Sequence, residues 1–475
     1  MNTRIAFAFA AALLAACTTV GPDYVAPELA APAAWNEESG PGLTRAPAEL
    51  EAWWSHFQDP TLDALVARAA RGSLDVRESL ARVQEARARR GVSSAERYPS
   101  VDAGASFTRS GESENTPLGE FVPDFDEYRV GFDAFWEVDL WGRLARNLEA
   151  ADADLAATLE DARDVAVTVE AEVAFTYVEL RSFQTRTAIA STNLQLQQET
   201  LELVRARFES GLVGERDVAQ AATNVETSRA RIPALELGAR VSENRLAVLL
   251  GLAPGALAEE LGPPQAIPVP PLEVAVGVPA DLLRRRADVR RAERELAAET
   301  ARIGVAEAEL YPRLTLLGNL GFAAEELPDL LDHDSGVFGF GPSLRWNLFD
   351  AGRLRHLVEA QDARAEQALV RWERAALRAL EESENAMSAF VREQARRRAL
   401  VEAAAQARLA VELAQTEYRE GLSDFQTVLI SERALAELED QLAESDAAIA
   451  IDLVALYKAL GGGWEHGALG AAPAP

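Results

Sequence analysis

The chain has 475 residues, 48% hydrophobic and 26% charged, a balance that excludes a disordered polar polymer and leaves room for more than one core. A formal net charge of −29 excludes a phosphate-binding surface, which needs clustered Lys and Arg. The single cysteine, Cys17, excludes an intramolecular disulfide.

Residues 1–16 read as a signal peptide. Arg4 supplies the positive end, and Ile5 to Leu14 is an apolar run too short to span a bilayer as a helix. Leu14-Ala15-Ala16-Cys17 resembles a lipobox, in which cleavage leaves the cysteine as an acylated (palmitate-bearing) N-terminus; an ordinary signal peptide with an incidental cysteine is the alternative. Acyl chains on Cys17 would hold the N-terminus at a membrane, and Thr18 in place of Asp implies sorting to the outer membrane. No other stretch has about 18 consecutive apolar residues, so any further crossing requires β-strands.

Residues 17–60 form an extended arm rich in Ala, Pro and Gly, closed by an apolar anchor of Trp53, Trp54 and Phe57. Asp59-Pro60 marks a helix start. A first repeat over 61–261 then opens with a helix from Thr61 to Arg97, with Leu62, Val66, Ala69, Val76, Leu80 and Val83 on one stripe. Tyr98-Pro99 ends it. A strand hairpin over 100–139 follows, with Val101, Ala103, Ala105 and Phe107 alternating with Asp102, Gly104, Ser106 and Thr108. Its second strand alternates Val130, Phe132, Ala134, Trp136 and Val138 with Gly131, Asp133, Phe135, Glu137 and Asp139. Strands of about 10 residues suffice to cross a bilayer when tilted, and a soluble sheet with one buried face is the alternative. Leu144 to Glu209 contains no proline and no glycine, about 100 Å of helix at 1.5 Å per residue. It turns at Gly211-Leu212-Val213-Gly214 into a return helix, Asp217–Leu250.

A proline connector, 262–280, leads to a second repeat over 281–463 with the same order: a helix, a hairpin over 313–349, a long helix Leu354–Glu420, a turn at Gly421, and a return helix Thr427–Leu460. The second hairpin's outgoing strand is expected to run through Phe338, Phe340, Leu344, Trp346 and Leu348. Ser73–Pro99 aligned to Arg286–Pro312, an offset of 213, gives eleven identities in 27 positions. Past the strands, Phe208/Tyr418, Gly211/Gly421 and Leu250-Gly251/Leu460-Gly461 keep a constant offset of 210. A period this long indicates a duplicated domain rather than a solenoid. The last helix carries a heptad at Val428, Leu435, Leu442, Ile449 and Leu456, which suits an antiparallel coiled coil. Residues 464–475 are a tail.

Four strands cannot close a barrel, because small barrels need about eight. An open sheet in lipid leaves unpaired backbone groups at its edges, so several chains must share one barrel. Three copies supply twelve strands.

The motifs CTTVGPDYVAPE (Cys17–Glu28), WWSHFQDPTLDAL (Trp53–Leu65), DLLRRRADVRRAE (Asp281–Glu293), ARIGVAEAELYP (Ala301–Pro312), WNLFDAGR (Trp346–Arg353) and YKALGGGW (Tyr457–Trp464) resemble the outer-membrane efflux duct family of TolC and OprM, in its NodT-type lipoprotein branch. The resemblance implies a mainly α protein with membrane β: a homotrimeric twelve-stranded outer-membrane barrel, four strands per chain, continued by a long periplasmic α-helical barrel. It also implies docking to a periplasmic adaptor and an inner-membrane RND-type pump, and no cofactor. The family's adaptor-facing tips fall on Arg207, Gly211, Leu212, Asp217 and Val218, and on Tyr418, Gly421, Leu422, Thr427 and Val428. Relatives read LTLLDAQR where this chain reads Gln426 to Arg433, QTVLISER. An acidic gate ring is therefore not expected at Ile430. The expected gate is a partly apolar constriction at Ile430, flanked by Gln426, with Asp217, Asp424 and Arg433 pairing nearby. Tyr98, Trp136, Tyr311 and Trp346, with Trp141, read as an interfacial aromatic belt, with plain packing under the barrel the alternative for Trp141.

An enzyme has little to stand on. His56, His333, His356 and His466 share no metal-ligand spacing, and no nucleophile elbow or P-loop is present. A lipid-anchored periplasmic coiled-coil scaffold explains the helices but not four alternating strands. Within the duct class, protein secretion is the alternative to small-molecule efflux.

Overall fold

The computed structural model describes residues 19–464 except 29–31, 37–41, 45, 47–49, 114, 116–122 and 272. Cys17, the signal peptide and the tail beyond Trp464 lie outside the described residues. The chain divides into two compact units, and each takes segments from both sequence halves. One comprises the described parts of Met1–Glu28 with Val83–Thr158 and Arg291–Glu373; the other comprises the described parts of Leu29–Arg82, Leu159–Arg290 and Arg374–Pro475.

In the first unit, the alternating segments become strands. β2 (Ser100–Ser110), β3 (Phe125–Val138), β5 (Arg313–Ala324) and β6 (Gly336–Arg345) make one antiparallel sheet in the order β2-β3-β5-β6. β6 stops at Arg345, short of the expected Trp346–Leu348. Arg345 pairs with Arg313, the first residue of β5. The residue before it is Pro312, which has no N–H to donate, so β6 has nothing further to pair with. β3 does run on to Val138, because Trp136, Glu137 and Val138 pair with Leu316, Thr315 and Leu314. Both hairpins are tied down by the same device. Trp136 Nε1 donates to Arg97 O at 3.0 Å, and Trp346 Nε1 donates to Leu310 O at 3.0 Å. Trp141 Nε1 donates to Pro312 O at 2.9 Å, and its ring stacks on Tyr311 at 4.7 Å.

The proline- and glycine-free runs become α3 (Arg143–Glu209, 67 residues) and α8 (Arg353–Glu420, 68 residues). Their return helices, α4 (Glu215–Leu249) and α9 (Phe425–Ala459), have 35 residues each. α4 carries Pro233 in its interior, which leaves the Arg229 carbonyl without its helical donor.

The helix expected over 61–97 is two helices, α1 (Pro60–Gly72) and α2 (Leu74–Ala95), parted at Ser73, whose ψ is 133°. The same break recurs 213 residues on (286 − 73), where Arg286, with ψ 127°, separates α6 (Pro279–Arg285) from α7 (Ala287–Ala308). Packing explains both. A Cβ on Gly72 would lie 2.7 Å from Leu250 O, and one on Gly461 would lie 3.1 Å from Arg286 Cγ. At each break the chain abuts the end of a return helix, and a continuous helix could not come so close.

In the second unit α9 runs antiparallel to α8 and to α3. Arg397 pairs with Asp446 and Arg408 with Glu439, while Arg186 pairs with Asp440 at 2.7 Å and Thr200 bonds Glu432. Of the heptad on α9, Val428, Leu435, Ile449 and Leu456 are buried and Leu442 is half-buried. The apolar anchor forms as a 3₁₀ turn: Trp53, Trp54 and Phe57 are buried, and Trp53 stacks on Tyr457 at 5.4 Å. Asp59 Oδ1 caps α1 by accepting from Thr61 N and Leu62 N at 2.8 and 3.1 Å. The arm and the proline connector, both expected as single extended chains, meet in a parallel two-residue ladder. In it β1 (Leu43–Thr44) pairs with β4 (Val274–Ala275).

Candidate functional site

Two features carry chemistry, one in each unit. The first is the sheet. Its register sets Val101 beside Ala134, Ala103 beside Phe132 and Phe107 beside Tyr128. The row continues through Phe132 to Leu320 and Phe338, and through Trp136 to Leu316 and Pro342. Apart from Arg109 and Asp126, which pair with each other at the loop end, every residue on this face is apolar, Tyr or Gly, and Phe340 is 87% exposed. The opposite face brings Asp102, Asp133, Asn319 and Gly339 to one level, with Ser106, Thr108 and Glu137 on the same side. Monomeric soluble proteins do not leave an apolar surface of this extent in water. One apolar and one polar face, alternating with a period of two, is the pattern of a strand between lipid and an aqueous lumen. The sheet's outer strands, β2 and β6, have no further partner among the described residues. Tyr98 and Trp346 are exposed at the ends of this sheet, and Trp136 and Tyr311 partly so.

The second feature is the pair of helical tips. α3 ends with Leu212 N donating to Arg207 O and Gly211 N to Phe208 O, both at 2.8 Å. α8 ends with Leu422 N donating to Glu417 O at 2.8 Å and Gly421 N to Tyr418 O at 3.1 Å. Both are Schellman caps that need a left-handed residue, and Gly211 (φ 73°) and Gly421 (φ 77°) supply it. Leu212 and Leu422 project into solvent at the apices. Asp424 Oδ1 caps α9 by accepting from Thr427 N and Oγ1 at 3.1 and 3.0 Å.

Arg207 fastens the first tip to the second. It donates to the Tyr418 carbonyl and lies 4.6 Å from the Tyr418 ring centroid. Tyr418 is 2% exposed, and burial pushes the pKa of its hydroxyl up. Beneath, Leu201, Val204, Ala221, Val225, Ala414, Phe425, Val428 and Leu429 form with Tyr418 a core from all four helices, with Val218 packed against it.

Tyr418 and Val428, two of the expected tip residues, are buried, and their side chains hold the tip together. Arg433 does not pair with Asp217 or Asp424. Its Nε donates to Asn224 Oδ1 at 3.0 Å, because Asp424 is used as a cap and Asp217 lies beside Arg216 at 3.5 Å. Gly211, Leu212, Gly421, Leu422 and Thr427 are exposed, as are Gln426 and Ile430, the latter at 58%. A residue that sequence reasoning passed over is Glu432, buried between α3, α8 and α9. Its spacing of i+4 from Val428 and i+3 from Leu429 already set it on the buried stripe.

The outer membrane efflux protein family model matches residues 65–252 and 278–462. The chain belongs to the outer membrane efflux protein family. This efflux protein is 32% identical to nodulation protein T of Rhizobium leguminosarum bv. trifolii over 469 residues, 98% of each chain. It is 32% identical to the pyoverdine export outer membrane protein OpmQ of Pseudomonas putida, over 95% of this chain and 96% of that one. Among solved structures, the outer-membrane channel OprN superposes with a TM-score of 0.89 at 37% identity, covering 94% of this chain and all of that one. CusC follows the same fold with a TM-score of 0.82 at 26% identity, over 94% of this chain and 100% of that one. No helix among the described residues of the efflux protein is long and apolar enough to cross a membrane.

Proposed function

We propose that this protein is the exit duct of a tripartite efflux system, which conducts substrates passively across the bacterial outer membrane. The observation that carries this reading is the register of the sheet: a face that is apolar up to the Arg109–Asp126 pair at its loop end, on an open four-stranded sheet, in a chain that also holds helices of 67 and 68 residues. Closure with two further copies gives a twelve-stranded barrel with no edge left in lipid. Acylation of Cys17 would anchor the chain to the same membrane. The internal duplication is supported by the family model, whose two matched segments begin 213 residues apart (278 − 65) and end 210 apart (462 − 252). The repeats then occupy 61–261 and 281–463, joined by the 262–280 connector.

The exposed apices, Gly211, Leu212, Gly421, Leu422 and Thr427, are the surface offered to a periplasmic adaptor, which links the duct to an inner-membrane RND-type pump. Efflux of small molecules, rather than secretion of protein, is favoured by relatives named for pyoverdine export and toluene efflux. The test is the state of the protein in cells. Outer-membrane fractions are expected to hold a heat-modifiable trimer, and planar bilayers containing it are expected to show stepwise conductance. A stable monomer released by salt would instead favour a lipid-anchored scaffold.

The gate is assigned to the exposed side chains of Gln426 and Ile430 on α9. Hydrophobic constrictions close by excluding water. Ile430→Ser is therefore expected to raise single-channel conductance by roughly two-fold, and unchanged conductance would remove Ile430 from the constriction.

A further inference from the structure

One carboxylate in the helical unit is buried without a cation. Glu432 of α9 is 2% exposed. Its Oε1 accepts from Thr200 Oγ1 of α3 at 2.6 Å and from Gln415 Nε2 of α8 at 3.1 Å. Gln415 Nε2 also reaches Thr200 Oγ1 at 3.4 Å, so three helices meet on one side chain. Val428, Leu429 and Leu435, on the same stripe of α9, are buried and apolar.

The charged groups of the surrounding helices are engaged elsewhere. Arg207 of α3 is on the Tyr418 carbonyl of α8, and Arg433 of α9, next in sequence, is turned to Asn224 of α4. Glu439 of α9 is held by Arg408 of α8 and Asn193 of α3, and Asp217 of α4 lies beside Arg216. Among the described residues, two neutral hydrogen bonds are what offsets the loss of water around Glu432. An ionised carboxylate in that position carries a desolvation cost that is relieved when water reaches it.

We propose that Glu432 is a pH-sensitive latch for the tips: its neutral form holds α9 against α3 and α8, and its ionised form favours their separation. The latch rests on the exit-duct reading, since separation of these helices is what opens a duct at its tips. Burial raises the Glu432 pKa, and the bonds from Thr200 and Gln415 oppose that only in part. A packed-state pKa above that of a hydrated carboxylate means that the stabilisation from protonation is complete below the hydrated value. It is lost as pH rises through the packed-state value. Acid therefore tightens the tips and neutral pH loosens them. Glutamine is a neutral side chain of nearly the same shape as glutamate, so this backbone should accept Glu432→Gln.

The test uses full-length trimers in planar bilayers, scanned between about pH 5 and 8. Wild-type open probability is expected to rise about three-fold or more with pH. Glu432→Gln is expected to stay low and flat. Thr200→Val removes a bond that favours the ionised form, so it should move the rise to higher pH. A wild-type profile retained in Glu432→Gln, an unmoved midpoint in Thr200→Val, or conducting wild-type trimers with no pH dependence would each overturn the latch and leave the duct standing. Wild-type trimers that conduct at no pH would overturn both.

Discussion

Leu320→Arg is expected to abolish assembly in the outer membrane, whereas Asn319→Arg, one residue away, leaves assembly intact and changes conduction. Leu320 pairs with Phe132 on one side and Phe338 on the other, on the apolar face, and is 65% exposed. Arginine facing lipid near the bilayer midplane costs about 2–4 kcal/mol per copy. A trimer meets that cost three times, on the order of 6–12 kcal/mol, comparable with the whole stability of a typical domain. Asn319 points the other way, level with Asp133 and Gly339 and beyond them Asp102. A guanidinium there meets carboxylates and water, so it should fold, and it should weaken any preference of the pore for cations. The heat-modifiable trimer band measures the first effect and the reversal potential in a salt gradient the second. Trimers of Leu320→Arg at wild-type abundance would show that this face does not meet lipid.

That contrast rests on a pattern already visible in the residues. Period-2 alternation survives without knowledge of partners, because a strand's two faces are fixed by the pleat alone. Val101 to Phe107 and Val130 to Val138 therefore fell on the correct face before any pairing was known. The long helices were equally legible, since 67 and 68 residues without glycine or proline leave nothing to stop them. The Schellman turns at Gly211 and Gly421 followed from the same logic. What stayed hidden depended on the third dimension. Ser73 and Arg286 interrupt sequences that propensity alone would keep helical, and only the approach of Leu250 and Gly461 explains them. The Leu43–Val274 pairing joins segments more than two hundred residues apart, each too short to read as a strand. At the tips, Tyr418 and Thr427 both look like polar surface residues in a sequence. Arg207 over the Tyr418 ring buries one of them, and the Asp424 cap leaves the other outside.

Arg286→Ala is expected to cost about 3–5 kcal/mol of stability, the range for removing one partner of a buried charged network. Arg286 is buried at the break between α6 and α7. Its Nε and Nη2 hold Asp288 in a fork at 2.9 and 2.8 Å, and Nη1 donates to Ala459 O, near the end of α9, at 3.0 Å. Nη2 also reaches Glu382 at 2.7 Å, but that carboxylate is more than half exposed, so the contact contributes little. Burial alone would lower the guanidinium's pKa. The bonds and attraction from Asp288 and Glu382 outweigh it and raise the value, so Arg286 stays charged at every working pH. Alanine would leave the Ala459 carbonyl with only the 3.4 Å bond from Ser383 Oγ and would strip the fork from Asp288, which keeps Val289 N, in a packed junction. Arg286→Lys keeps the charge but loses the planar fork, and should fall between alanine and wild type. The matched break in the other half supplies the control. Ser73 is also buried, but its hydroxyl has no hydrogen-bond partner among the described residues, so Ser73→Ala should change stability by less than about 1 kcal/mol. Urea unfolding followed by loss of helical circular dichroism compares the three variants. Equal losses at both breaks would mean that backbone geometry, not the arginine network, holds these junctions. A large loss at Arg286 alone would mean that two halves of like architecture are locked by unlike chemistry, with the second carrying the charge that fixes the end of α9.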